Sequence, residues 1–402
     1  MGRGAIFMVM GFNLLLGSMG FNLSKVAINA YQNYTVFYDQ TVARQVANSA
    51  ANMASSEITF TPNWRTGYSN MSFQGGTFNV TFTTLDSNRV RMEVSASYNG
   101  ISYPDTIVLG LTKFSKFAYF SNVEGSIQWI TGDTVYGPFH TEDKLNTTGN
   151  PVFMGRATAK KGLNAASGSH PVFNGDFQSG LTISLPTNFT GLSTLAQSGG
   201  KYFNNQDIYL EFKGNGNVVY RVGSWTAAAT TTTVSAISGN GLLIVNNGNL
   251  HLKGIIAGQM TVGALGSSGK GTVYIDSSIA YNTNPQTNPN STDMLGICVD
   301  NNVVVSDNVN NDNPSKGVTL QASILARTGG LGAENYDTRP VSGTLRLYGG
   351  VQQYQRGAVG TFSGTTIVSG FGKSYMYDPR LMITSPPLYP STGTYEVLSW
   401  YE

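Results

Sequence analysis

Between Ala5 and Leu23 the chain reads AIFMVMGFNLLLGSMGFNL, a run without charge in which Asn13, Ser18 and Asn22 are the polar interruptions. As a helix rising about 1.5 Å per residue, this run spans about 28 Å, close to the roughly 30 Å hydrocarbon core of a bilayer. It predicts a membrane helix whose apolar surface is carried by Phe7, Val9, Phe12, Leu14, Leu15, Leu16, Phe21 and Leu23. A cleaved secretory signal fits poorly, because its apolar region is shorter and ends at a small-residue site. Arg3 on the short flank and the polar bulk behind the span favour an amino terminus inside and the remainder exported. No proline or strong turn follows. From Val26 to Ala54 the pattern becomes striped: Ala43, Val46, Ala47, Ala50, Met53 and Ala54 recur at three- and four-residue spacing, while Arg44, Asn48, Asn52 and Ser55 point elsewhere. One continuous helix is expected over residues 1–56, and its striped part needs a partner surface.

The period then switches to two. Thr77 to Thr83, Val90 to Ser97 and Thr106 to Leu111 read as strands separated by the turn signals Asp86-Ser87-Asn88 and Asn99-Gly100. An antiparallel sheet with one apolar side is expected over 57–117, and a sheet of that kind buries its apolar side together with the helix stripe. Beyond Phe117, short β segments closed by Gly or Asn recur: Ser126 to Thr131, Asp133 to Tyr136, Leu242 to Val245, Leu250 to Ile256, Met260 to Val262, Thr272 to Ile275, Asn302 to Val305, Val318 to Leu325 and Thr344 to Tyr348. No amphipathic helices separate them, so they suit the rungs of a right-handed β-helix over 118–402, a β-sandwich being the alternative. An insertion at 164–233 is expected to hold a short helix, Leu185 to Gln197, a hairpin of Asp207 to Phe212 with Asn217 to Val222, and an Ala/Thr run, Thr226 to Thr233. The late aromatics, among them Tyr389, Tyr395 and Trp400, read as a tail covering the coil.

Arg3-Gly4 before Ala5 to Leu16, with Ala43-Arg44-Gln45 and Asn48-Ser49-Ala50-Ala51 further on, resembles the amino-terminal helix of type IV pilin-like proteins, most of all PilX-like minor pilins. The resemblance implies that a prepilin peptidase cuts between Gly4 and Ala5, with Arg3, Gly4 and Ala5 as the processing signal. The freed helix then joins a helical bundle in a filament or stays as a membrane anchor. It also implies a pilin-like globular unit in which the sheet packs on the helix. Major pilins carry a Glu at the fifth mature position; Val9 stands there, which argues against a major subunit. Trp129 to Gly132, Gly137-Pro138-Phe139-His140-Thr141, Gly149 to Phe153, Asp293 to Gly296, Arg356 to Phe362, Tyr377 to Leu381 and Pro386-Pro387 to Trp400 resemble large bacterial envelope proteins with PilX-like amino termini. The fold class read from all this is mainly β with one long amino-terminal α-helix.

Signals for chemistry are sparse. His140 with Glu142 and Asp143 has the residue types of a metal site or an acid–base pair, but no second His lies near in sequence, and a structural His is the favoured reading. His170 and His251 stand alone. Asp307 to Asn313 clusters oxygen ligands of the kind calcium prefers, without the order of a helix-loop-helix calcium loop. Asp276, Asp293, Asp300 and Asp307 are the acids a glycan-cleaving β-helix enzyme would use, and none sits in a catalytic motif. Cys298 lies in an apolar run as a buried small hydrophobe. A net charge of +2 gives no electrostatic case for nucleic acid.

The expectation is therefore a non-enzymatic, pilus-like surface protein without a catalytic, metal or cofactor site. It inserts in the inner membrane, self-assembles or joins other pilin-like subunits, and displays a β-rich domain at the cell surface or in an extracellular filament. The alternatives are a membrane-anchored adhesin with a surface glycan as partner and, more remotely, a polysaccharide-active β-helix enzyme.

Overall fold

The long helix runs Arg3–Phe60, 58 residues, in a computed structural model that describes residues 2–363 and 366–401. It continues because no proline interrupts it, and a Cβ built on Gly11, Gly17 or Gly20 would meet no neighbouring atom, so these glycines mark no close packing within the chain. The hydroxyls of Ser18, Thr35, Thr41 and Thr59 satisfy themselves by donating to carbonyls three or four residues back. It ends at Thr61-Pro62, where Thr61 N–H still donates to Glu57 O at 2.7 Å and the proline cannot continue the ladder.

The chain folds into two compact units, one formed by residues up to Thr112 with those from Gly393, the other by Lys113–Thr392. In the first, Tyr68–Phe73, Gly76–Thr84, Arg89–Tyr98 and Ile101–Lys113 form an antiparallel meander. Two of its turns, Gln74-Gly75 and Asn99-Gly100, place both central residues at positive φ, as tight hairpins require. Alternation along Arg89–Tyr98 buries Val90, Met92, Val94 and Ala96. That side shares a core with Val46, Ala47, Ala50, Ala51, Ala54 and Ile58 of the helix. The alanines let helix and sheet approach closely. Met53, expected on this face, stays 39% exposed; the stripe passes through Ala51 and Ile58 instead.

The second unit is built from strands that pair in parallel with their counterparts a turn along the chain, unlike the antiparallel sheets of a sandwich. Its first run has three strands per turn and a turn of 18 to 20 residues: Thr134 pairs with Val152 and Val152 with Val172, as Phe120 does with His140 and His140 with Thr158. The second run has turns of uneven length through Leu242–Asn246, Gln259–Leu265, Met294–Val299, Val318–Ala326 and Val341–Gln355. Val341–Gln355 pairs in parallel with Thr366–Tyr377 along its first half and with Tyr119–Val123 along its second, so the second run stacks on the first turn of the first. Val, Ile and Leu from successive turns form one continuous core.

Two expectations about this region change. Lys201–Asn204 and Ile208–Lys213 pair in parallel with Leu242–Asn246 and Leu250–Ile256, so they belong to the stack rather than interrupt it. Only Asn217–Val222 and Thr230–Thr233 add antiparallel strands there, and the short helix is confined to Thr190–Gln197. The covering tail is also corrected. Pro387 O accepts from Thr261 Oγ1 and Tyr389 OH donates to Gln352 Oε1 at 2.8 Å, so this stretch does lie on the stack. Ser391–Tyr401, however, is the fifth strand of the meander sheet, beside Ile101–Lys113.

Candidate functional site

Among the described residues, the first part of the helix carries a long continuous run of exposed large apolar side chains. Phe7, Val9, Phe12, Leu14, Leu15, Leu16, Phe21 and Leu23 expose between 53% (Leu16) and 75% (Leu14) of their surface. Arg3 opens the helix, and a side-chain atom built on Gly4 would meet nothing, so the Gly4-Ala5 bond lies on an open stretch of backbone. The exposure does not stop at Leu23: Val26, Ile28, Tyr31, Tyr34 and Phe37 are exposed as well. Burial begins at Asp39, whose carboxylate accepts from Asn99 Nδ2 at 3.1 Å.

His140, Glu142 and Asp143 are brought together, but each is committed to a protein partner. His140 is fully buried beside Phe120, with Nδ1 2.7 Å from Thr158 Oγ1 and Nε2 3.1 Å from Glu142 Oε1. Loss of hydration pushes its pKa down against the pull of Glu142. Burial alone would raise Glu142, yet its carboxyl lies below the usual range because Lys160 Nζ donates at 2.7 Å and Ile183 N–H at 2.6 Å. Asp143 is held by Lys161 at 3.0 Å. The cluster ties successive turns together.

The other acids are each engaged by protein partners, and Asp307 also lies beside Asp312. Asp293 accepts from Gly258 N–H and Thr283 N–H, both at 2.7 Å, and Asp300 pairs with Arg327 at 2.7 Å. Asp307 accepts from Asn335 Nδ2 at 2.6 Å. In the Asp307 to Asn313 loop, Asn311 donates to the carbonyls of Ile275 and Ser306 and Asp312 pairs with Arg339; its polar groups pin the loop to neighbouring turns. Among the described residues no three His, Cys, Asp or Glu side chains converge as metal ligands would. Cys298 is fully buried, and burial pushes its thiol far above its ordinary range.

Sequence reasoning missed one cleft, of about 640 Å³, around His251 and Asp276. Tyr209, His251 and Tyr274 occupy one column of the parallel register, with ring centroids 4.1 and 4.7 Å apart and planes within 8° and 12°. Trp225 stands edge-on to Tyr209, donates Nε1–H to Asp276 Oδ2 at 2.6 Å, and carries Lys253 Nζ 3.9 Å from its centroid. Asp276 also bonds His251 Nδ1 at 2.8 Å; burial would raise its carboxyl, but His251, Ser306 and Trp225 hold it below the ordinary range. The next positions of the column are Val304 and Gly332, so the stack of rings ends at Tyr274 over small residues. These side chains lie far apart in the chain and follow no fixed interval, which left no local signal.

No protein-family model matches the chain, and no curated protein matches it. Among solved structures, the competence-associated pilin ComZ from Thermus thermophilus is similar over 91% of this chain and 96% of that one, at 11% sequence identity and a TM-score of 0.39.

Proposed function

We propose that this chain is a type IV pilus-like, minor-pilin-like surface subunit. Its helix enters the inner membrane, is processed between Gly4 and Ala5, and then packs against helices of further copies or of other pilin-like subunits, with the β-rich units displayed outside the cell. The observation that carries this reading is the extent of unpartnered apolar surface. From Arg3 to Tyr38 the helix is exposed, a length of about 54 Å against about 30 Å of hydrocarbon. Val26, Ile28, Tyr31, Tyr34 and Phe37 lie beyond what a bilayer core covers, and neighbouring helices of the same kind would cover them. The role is structural rather than enzymatic, and we read the parallel turns of the second unit as a β-helix that serves as the displayed surface.

A second reading, a membrane-anchored adhesin, is favoured by the aromatic cleft at Tyr209, His251, Tyr274 and Trp225. Aromatic faces beside amides and carboxylates suit a surface glycan. Intact mass and amino-terminal sequencing of protein from native envelope and from sheared surface filaments separate the two readings. A chain beginning at Ala5 and enriched in the filament fraction supports assembly. A chain beginning at Met1 and confined to membranes refutes it and leaves the anchored adhesin.

A further inference from the structure

A cavity of about 330 Å³ opens in the second unit, walled by Trp129, Tyr136 and Tyr375 and carrying Arg356 and Lys373. The Arg356 guanidinium lies 4.9 Å over the Trp129 ring, and its Nη1 is buried without a hydrogen-bond partner. A buried donor left unpaired, on a group that stays charged, is costly unless something else completes it. Lys373 is exposed as a residue, which opens the cavity to solvent. Its amine is nonetheless pulled down to about 8, by loss of hydration first and by the Arg356 charge second. Neither cation belongs to an ion pair among the described residues.

The acids nearby answer them only in part: the Asp133 charge holds the Lys373 amine up, against the larger downward effects of lost hydration and Arg356. Asp133 Oδ2 is taken by Ile130 N–H at 2.9 Å. Glu124 is buried and already accepts from Tyr119, Ser121 and Trp129; burial pushes its carboxyl up despite those bonds and the Arg356 charge. The site is thus a positively charged cavity with one unfilled donor, apolar ring walls, and Asp133, Thr134 and Gln353 at its edge.

We propose that this cavity binds a hydroxylated organic carboxylate of monosaccharide size, the chemistry of a hexuronic acid, with the carboxylate bridging Arg356 and Lys373. A carboxylate matches the guanidinium fork, gives Nη1 its missing acceptor and relieves the repulsion between the two cations. The volume lies at the small end of ligand pockets, so a bare inorganic anion would leave it unfilled. The ring walls offer surface to the C–H face of a sugar, and the Asp133 carboxylate and Thr134 hydroxyl offer partners to its hydroxyls. The proposal rests on neither reading of the helix and stands or falls separately from both.

The test is saturation-transfer NMR on the full chain in detergent, titrated with glucuronate, glucose or acetate. Glucuronate should give a saturable response, tighter than glucose and acetate and weakened by added salt. Arg356→Gln and Lys373→Gln should each weaken it by roughly tenfold to a hundredfold, the effect of losing one charge-assisted hydrogen bond. Glucose binding as well as glucuronate overturns carboxylate recognition, and acetate binding as well overturns the sugar. No saturable response to any of the three overturns the site. Should Arg356→Gln fail to reproduce the circular dichroism of the parent, Lys373→Gln decides alone, and unchanged affinity there overturns the proposal.

Discussion

Leu14 sits at the centre of the charge-free run and exposes 75% of its surface, so Leu14→Arg perturbs membrane insertion without disturbing any packing within the chain. On the membrane-insertion scale, Leu, Ile, Phe and Val near a helix centre each favour insertion by about 0.3–0.6 kcal/mol, and Arg opposes it by about 2.5–3.5. The substitution therefore costs about 3–4 kcal/mol. The Ile, Leu, Phe and Val residues of Ala5 to Leu23 together supply about 3–5 kcal/mol on the same scale, so one arginine offsets most of the driving force. The insertion equilibrium constant should fall by roughly a hundredfold or more, so the fraction of newly made chain that resists alkaline extraction from inner-membrane vesicles should drop from nearly all to roughly half. Tyr34→Arg, on an exposed residue beyond the span, should insert as the parent does. Equal membrane retention of Leu14→Arg and parent would refute the argument that Ala5 to Leu23 is the spanning segment.

Further outcomes concern the folded units. Ala50 is fully buried between helix and sheet, and Ala50→Leu should overpack that seam by about 1–3 kcal/mol, seen as a lower urea midpoint. Gly349 has φ +149, and a Cβ there would lie 1.9 Å from Ala322 O; Gly349→Ala should prevent the second unit from folding, scored by soluble yield and circular dichroism. Gly100→Ala, at φ +81 with no atom in reach, should cost only the conformational strain of about 1–2 kcal/mol. Burial depresses His140, and Lys160, Ile183 and His140 depress Glu142 against burial. Both folded pKa values lie below the unfolded ones, so this stability is present at neutral pH and is lost as pH falls through the histidine and then the carboxylate range. The urea midpoint should drop between about pH 7 and 5, and His140→Asn should flatten that drop; a parent equally stable at both pH values contradicts the assignment.

What could be read from the sequence was what is written locally. The helix and its extent follow from an uninterrupted apolar run and a stripe, and the meander follows from alternation and from Asn99-Gly100. The helix face was misread at Met53 alone, which is exposed where Ala51 and Ile58 are buried, because its core-facing side is set by the sheet it meets and not by the helix alone. Short strands such as Leu250–Ile256 could be read as elements, but not how they stack: His251 pairs with Tyr209, 42 residues earlier, and with Tyr274, 23 residues later. No constant period exists to reveal the column, and the cleft it builds stayed hidden for the same reason. The Arg356–Lys373 cavity combines residues on Val341–Gln355 and its neighbours with Trp129, from the opposite end of the second unit's sequence. His140 was the strongest chemical signal in the sequence, and it turned out to be sealed between Phe120 and Thr158.

Ser391–Tyr401 could not be assigned to a sheet from its own residues, and its position bears on how the first unit folds. The sheet it completes lacks this strand until the whole of Lys113–Thr392 has been made. Bringing it beside Ile101–Lys113 through an unfolded loop of roughly 280 residues would cost about 5 kcal/mol in closure entropy beyond a constant. The second unit removes that cost when it folds first, because its own ends are adjacent: Phe114 N–H donates to Pro390 O at 3.1 Å. Hydrogen exchange of the Arg89–Tyr98 amides should therefore depend on residues far from them. Deleting 391–402 should speed exchange by uncovering Ile101–Lys113 as an edge, and Gly349→Ala, a substitution within the second unit, should do so as well. If protection in Arg89–Tyr98 is unchanged in Gly349→Ala, the fifth strand does not need a folded second unit to find its place, and the closure argument fails.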